Sequence, residues 1–271
     1  MTQRMTGKVV FITGVARGQG RALAVRMAKE GADVIGVDIA DKLPGVPYDS
    51  PTLDDLRQTI DLVAATGRRA LIEQGDVRDH DGLRDLVDRG VAEFGRLDGI
   101  VANAGICVPN VWDAISPAEF QDTIDVNVTG AWNTVMAGAR HLIDAGGGSI
   151  VLTSSYAGIK VQPFMVHYTA SKHAVTGMTR AFAIELGKYN VRVNSIHPGA
   201  VDTPMGSGDM QRRLAEAEKT NPPLGLMSTA FLPDRRIDVE DIADLCLFLL
   251  SDDSKKITAE HLSIDAGAHT Y

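Results

Sequence analysis

The stretch from Val9 to Gly31 limits what this chain can fold into more than any other. Val9-Val10-Phe11-Ile12 is a short β-branched and aromatic run with no polar break, the pattern of a strand buried on both faces. It runs directly into Thr13-Gly14-Val15-Ala16-Arg17-Gly18-Gln19-Gly20, and from Arg21 to Lys29 the apolar residues Leu23, Ala24 and Met27 recur at helical spacing until Gly31 closes the helix. Strand, glycine-rich turn and helix in this order aim backbone N–H groups and a helix N-terminus at one place, where a diphosphate is held. The glycine spacing is TGxxxGxG and differs from the GxGxxG of the wider dinucleotide fingerprint.

A second strand, Asp33 to Val37, ends at Asp38. A carboxylate there, roughly twenty residues past the first glycine, accepts hydrogen bonds from both ribose hydroxyls of an adenosine and repels a 2′-phosphate, which favours NAD over NADP. Arg17 pulls the other way, because a basic residue in the glycine turn can pair with that phosphate; repulsion in a partly desolvated pocket outweighs an adjustable arginine. Asp41 to Ser50, with Pro44, Gly45, Pro47 and Tyr48, reads as an irregular excursion, followed by a helix that opens near Thr52 and closes at Gly67. This 41–67 insertion is open to two readings: a flap over the adenosine half of the cofactor, or a plain surface loop.

The same alternation continues to the end. Strands are expected at Ala70–Glu73, leading to Gly75, Asp76 and Val77; at Leu97–Ala102, leading to Asn103, Ala104 and Gly105; at Ser149–Thr153; at Val191–Ile196, leading to Pro198, Gly199, Val201 and Thr203; and at His261–Ile264. Helices are expected between them, one carrying Asn127 within the stripe Phe120, Ile124, Val128 and Val135. Residues 204–236 lose periodicity and read as a substrate loop or lid. The economical architecture for 1–271 is α/β: a single doubly wound Rossmann domain, a seven-stranded, mainly parallel sheet with helices on both faces.

The fifth strand delivers Ser154 and Ser155 to the sheet edge where ligand crevices form. Tyr168 and Lys172 stand four apart, so on a helix they share one face one turn apart. A phenol is a poor acid or base at neutral pH, and a fixed ammonium beside it favours the phenolate. By itself such a pair is common on exposed helix faces, and only its context gives it weight.

A net charge of -8 argues against a nucleic-acid or anionic-membrane partner. Cys107 and Cys246, far apart in apolar surroundings, read as reduced core thiols, and Met1 to Gly7 holds no apolar leader segment, so a cytoplasmic protein is expected. No HExxH or clustered Cys/His pattern suggests a metal, and no GxSxG elbow suggests a serine hydrolase. His167 reads as structural ahead of substrate-binding, and Trp112, Phe164 and Met165 as core ahead of pocket wall.

Taken together, TGxxxGxG at Thr13 to Gly20, Asn103-Ala104-Gly105, Asn127, Ser155, Tyr168 with Lys172, and Pro198-Gly199 resemble the short-chain dehydrogenase/reductase family over essentially the whole chain. The resemblance implies Tyr168 as general acid/base and Ser155 as the donor orienting the substrate oxygen. It also implies Lys172 as the residue that binds the nicotinamide ribose and lowers the Tyr168 pKa, and Asn127 as the support of a proton relay. Asp76 and Val77 would flank the adenine, and Val201 and Thr203 would meet the carboxamide. The Gly18-Gln19-Gly20 turn and the insertion after Asp38 look like the carveol dehydrogenase-like, mycofactocin-coupled branch, in which NAD is held tightly and a redox peptide recycles it; Thr258-Ala259, where the family usually has Thr-Gly, departs from the pattern. The expected activity is NAD-dependent interconversion of an apolar, alicyclic or terpenoid-like secondary alcohol and its ketone by a homotetramer. The alternatives are an NADPH-dependent 3-ketoacyl reductase and a non-catalytic NAD-binding regulator.

Overall fold

The computed structural model describes residues 3–42 and 45–270; Pro44 lies outside them. The first strand, β1 (Val9–Thr13), is buried along its whole length. Val10 and Ile12 enter one apolar core and Val9 and Phe11 the other. An uninterrupted apolar run is therefore what this strand needs, because successive side chains point to opposite, equally dry faces.

Six further strands follow: β2 (Asp33–Asp38), β3 (Ala70–Gln74), β4 (Gly99–Ala102), β5 (Gly148–Thr153), β6 (Val191–Pro198) and β7 (His261–Ile264). They form one seven-stranded sheet in the order β3-β2-β1-β4-β5-β6-β7. Every pairing is parallel, so the sheet is parallel throughout where a mainly parallel one was expected. One face is covered by α1 (Gly18–Lys29), α2 (Leu53–Ala64) and α8 (Val239–Leu250). The other is covered by α3 (His80–Phe94), α5 (Gly130–Asp144) and α6 (Val166–Leu186). The strand order reverses between β1 and β4, and a crevice opens at that switch point beyond the carboxyl ends of the strands.

Three local departures from the sequence reading matter to the site. First, α1 begins at Gly18, three residues before Arg21; its N-cap Arg17 has extended backbone and no side-chain capping bond, so the N–H groups of the first turn stay available to a ligand. Second, the helix expected across Phe120 to Val135 is α4 (Pro117–Ile124), a π-helical turn at Asp125–Thr129, and then α5. The wider turn carries Asn127 inward, where its side chain is bonded to the backbone after β4. Third, the 204–236 segment is not irregular throughout: it holds α7 (Asp209–Glu218). That helix buries only Met210 and Ala217, too few apolar positions to print a period in the sequence.

Candidate active site

The glycine turn is shaped by contacts that exclude side chains. Gly14 has φ +74°, and a Cβ on Gly20 would lie 1.8 Å from the Gly14 carbonyl oxygen. The turn is tied to the end of β4: Thr13 Oγ1 accepts the Asn103 and Ala104 N–H groups at 3.1 and 3.2 Å, and Asn103 Nδ2 donates to the Thr13 carbonyl at 3.0 Å. Thr13 was absent from the sequence-derived site residues, and its hydroxyl is what brings the two loops of the switch point together.

Asp38 closes the far end of this groove. Its carboxylate is buried and accepts the Ala16 N–H at 2.9 Å and the Ala40 N–H at 3.0 Å, one on each oxygen. Burial raises its pKa, and those two backbone bonds pull it back. Each oxygen keeps a further lone pair, the number needed for a ribose diol. Asp76 and Val77 line the opposite wall, the Asp76 carboxylate being held by Arg78. Arg17, the candidate for a 2′-phosphate, instead donates to the Asp49 carbonyl in the loop after β2.

At the other end, Ser155, Tyr168 and Lys172 line a cavity of ≈ 670 Å³ together with Pro198, Gly199 and Val201. Gln19, Asn103, Gly105, Thr203 and Met205 line both this cavity and the glycine-turn groove, so the two are one continuous cleft. Tyr168 falls in the first turn of α6 and is hydrogen-bonded with Ser155. Ser155 Oγ also accepts the Ala157 N–H at 3.1 Å, which fixes it over a short 3₁₀ turn. Ser154 turns away and donates to the Lys172 carbonyl at 3.0 Å, pinning α6 beneath the site.

Lys172 is buried, with Nζ donating to the Thr153 carbonyl at 2.9 Å and lying 5.5 Å from the Tyr168 ring centroid. Burial draws the ammonium down to about 8. Burial, and next the Cys107 thiol, push the Tyr168 phenol above its ordinary range, while the bond with Ser155 opposes them. In the protein alone, desolvation thus outweighs the tuning expected from Lys172. Asn127 lines neither part of the cleft. It is buried behind Gly105, with Oδ1 accepting the Ile106 N–H at 2.8 Å and Nδ2 donating to the Ile106 carbonyl at 2.9 Å and Ser171 Oγ at 3.0 Å. A Cβ on Gly105 would reach 3.2 Å from Asn127 Oδ1 and 3.4 Å from Lys172 Nζ, so only a bare backbone separates the two side chains.

A family profile described as enoyl-(acyl carrier protein) reductase matches residues 14–269. The (-)-trans-carveol dehydrogenase of Rhodococcus erythropolis is 42% identical over 272 residues, covering 97% of this chain and 98% of that protein. The crystal structure of a short chain dehydrogenase from Mycobacterium paratuberculosis bound to NAD matches with a TM-score of 0.98 at 59% identity, covering 99% of this chain and 100% of that one. Carveol dehydrogenase from Mycobacterium avium in complex with NAD matches with a TM-score of 0.92 at 44% identity, covering 99% of each chain. This chain belongs to the short-chain dehydrogenase/reductase family.

Within this short-chain dehydrogenase/reductase, two walls of the cleft escaped the sequence reading. Cys107, read as a core thiol, lines the cavity of Ser155 and Tyr168, with its Sγ 3.3 Å from Met165 Sδ. Met205, Met210 and Leu214 from the 204–236 segment close the same apolar wall. Of Trp112, Phe164 and Met165, only Met165 lines the cavity, Trp112 being 78% exposed. His167 is fully buried and away from the cavity, as its structural reading implied. The second wall is Tyr48. Its hydroxyl accepts the Cys107 N–H at 3.3 Å and its ring packs with the cluster of Cys107, Met165 and Tyr168. The loop after β2 therefore reaches along the groove from Arg17 to Cys107, a residue of the cavity that holds Ser155 and Tyr168.

Proposed function

We propose that this chain is an NAD-dependent oxidoreductase that interconverts an apolar, alicyclic or terpenoid-like secondary alcohol and its ketone. One observation carries the reading: the cavity wall holding Ser155, Tyr168 and Lys172 is continuous with a groove that ends at the buried Asp38 carboxylate. A dinucleotide laid along that cleft would have its adenosine ribose at Asp38, its diphosphate at Gly14, Gly18 and Gly20, and its nicotinamide end among Tyr168, Lys172, Val201 and Thr203. The nicotinamide supplies the acceptor of two electrons that no side chain offers. The protein then has only to handle a proton.

In this reading Ser155 donates to the substrate oxygen and holds it against Tyr168, whose hydroxyl gives or takes the proton. Lys172 binds the nicotinamide ribose hydroxyls and, as an ammonium, favours the phenolate. Asn127 supports the path by which that proton reaches solvent through the narrow gap at Gly105. The wall of Cys107, Met165, Met205, Met210 and Leu214 offers few polar partners, which supports an apolar ring against it, while Asp202, Gln211, Arg235 and Arg236 bring polar groups to other parts of the cavity. The carveol dehydrogenases among the relatives point the same way.

The loop that reaches along the groove supports slow exchange of NAD, and with it a separate electron-accepting partner that recycles the bound dinucleotide. Exposed apolar side chains on α5 and α6, among them Trp132, Met136 and Ile184 at 81% exposure, support assembly into a homotetramer through these helices. No helix among the described residues is long and apolar enough to cross a membrane; the chain is proposed to work in the cytoplasm. Mass spectrometry of nucleotide released by denaturing the purified protein, with turnover on a panel of cyclic secondary alcohols, tests the assignment. NAD with turnover of the cyclic alcohols is expected. NADP, or a preference for acyl thioesters, would displace it in favour of a ketoacyl reductase.

A further inference from the structure

Beneath Ser155 lies a buried polar chain that the reaction as proposed does not use. β6 carries Ser195 and His197, both fully buried, and β7 sets His261 beside them. His197 Nδ1 lies 2.8 Å from the Ser155 carbonyl oxygen, His197 Nε2 lies 2.8 Å from Ser195 Oγ, and Ser195 Oγ lies 2.7 Å from His261 Nδ1. The hydrogen positions follow from these partners. A carbonyl only accepts, so His197 Nδ1 carries a proton. Burial draws the His197 ring down to about 4, so it is neutral and Nε2 is a bare acceptor. The Ser195 hydroxyl then donates to His197 Nε2 and accepts from His261 Nδ1–H. His261 is left with a bare Nε2, and that buried atom has no hydrogen-bond partner among the described residues. A single arrangement satisfies every contact.

The chain ends on the residue whose placement matters most. The Ser155 carbonyl accepts the Gly158 N–H at 2.8 Å from its own turn and the His197 N–H from the sheet. The turn bond is local and moves with the turn; the His197 bond ties the peptide to β6. The Ser154 N–H to Ile196 carbonyl bond at 2.9 Å holds the chain just before Ser155 to β6, so losing the His197 bond loosens the Ser155 carbonyl and the turn after it, and with them the hydroxyl. We propose that His197 is a positioning residue for the reaction: held as its Nδ1–H tautomer by Ser195 and His261, it clamps the Ser155 peptide and keeps the Ser155 hydroxyl in line with Tyr168. The proposal rests on the reading of Ser155 as the group that meets the substrate oxygen.

Two measurements on the full-length protein test it. In His197→Ala, kcat for alcohol oxidation should fall by ~10–100-fold, the scale of a displacement of about 1 Å at a reacting group, with KM and bound nucleotide little changed. His197→Asn, whose side-chain N–H stands where Nδ1–H stood, should recover most of that loss, and Ser195→Ala should fall between. Nitrogen-15 NMR should show His197 protonated at Nδ1 and not titrating between about pH 5 and pH 8. An Nε2–H tautomer, titration in that range, or an Asn variant no better than the Ala variant overturns the clamp. Ser155→Ala separates the two readings. If it keeps wild-type turnover, the role given to Ser155 fails; if it loses turnover while His197→Ala keeps it, only the clamp fails. Should His197→Ala not fold, Ser195→Ala and the tautomer measurement still decide.

Discussion

On the β1–β3 side of the switch point the cleft is bounded by the glycine turn, where backbone atoms leave no room for a Cβ at Gly14 and Gly20, and by an Asp38 carboxylate held by two backbone N–H groups. On the β5–β7 side it is walled by side chains, with Met205, Met210 and Leu214 of the 204–236 segment packed with Cys107 and Met165. The glycine turn tolerates little change of residue type at Gly14 and Gly20, because backbone atoms already occupy the space a Cβ would need. The side-chain wall tolerates many, because hydrophobic side chains of similar volume replace one another at small cost. In the proposed reading, a fixed cofactor half and an exchangeable substrate half would let one fold serve many alcohols.

The largest effect should come where the two halves meet. Tyr168→Phe removes only the hydroxyl proposed to handle the proton, and turnover should drop by ~10²–10⁴-fold with bound nucleotide unchanged. Steady-state rates beside nucleotide content by mass spectrometry check this. A mutant that still oxidises alcohols at the wild-type rate would sink the assignment of chemistry to this seam.

Breaking the glycine turn comes next. Gly20→Ala puts a methyl group 1.8 Å from the Gly14 carbonyl oxygen, a clash with backbone that no rotamer change relieves. Destabilisation of about 1–3 kcal/mol is expected, with loss of bound nucleotide. Chemical denaturation with nucleotide analysis reads both. Retention of full nucleotide occupancy would show that the turn can shift, and that this wall is less rigid than argued.

The same division explains what the sequence disclosed. Glycines at 14, 18 and 20, Asp38, and the pair Tyr168 and Lys172 are demanded by backbone geometry or by chemistry at fixed spacing, so they leave a pattern in the chain, and so do strands buried on both faces. The π-helical turn at Asp125–Thr129 leaves none: one extra residue in a turn still lets Phe120, Ile124 and Val135 read as one helical stripe. Cys107 and Met165 look the same in sequence whether they face a core or a cavity, because both are dry. Tyr48 sits in a loop without period, and its bond to the Cys107 N–H spans 59 positions, which no local pattern can announce.

Replacing Leu214 by Ala should leave stability within about 1 kcal/mol of wild type, since the side chain is only partly buried on α7. It should change the ratio of kcat/KM between a small and a bulky cyclic alcohol by ~10-fold, the worth of one to two methylenes in an apolar pocket. Competing the two alcohols reads that ratio directly; an unchanged ratio would place the specificity wall elsewhere. Tyr48→Phe should act more weakly. Loss of one hydrogen bond of about 1 kcal/mol between the loop after β2 and Cys107 should speed nucleotide release by ~5-fold, measured by exchange against labelled NAD.

The smallest effect concerns the charge at the seam itself. Lys172 has its pKa drawn down from 10.5 to about 8 by burial, so above pH 8 the folded chain sheds a proton that the unfolded chain keeps until about 10.5. The unfolded state then binds more protons, and stability rises with pH; this contribution is complete above the unfolded value and lost as pH falls through about 8. Cys107 and Cys246 run the opposite way, raised from 9.0 to about 12 by burial, so their contribution is whole below 9.0 and fades as pH climbs toward 12. The Lys172 term therefore stands alone from about pH 8 to pH 9. Thermal midpoints of the wild type should climb across that window and those of Lys172→Met should stay flat, with the mutant the more stable protein below pH 8. Equal slopes would mean that the ammonium keeps its charge through water reaching the cleft, and that the substrate half is wetter at its base than its apolar wall implies.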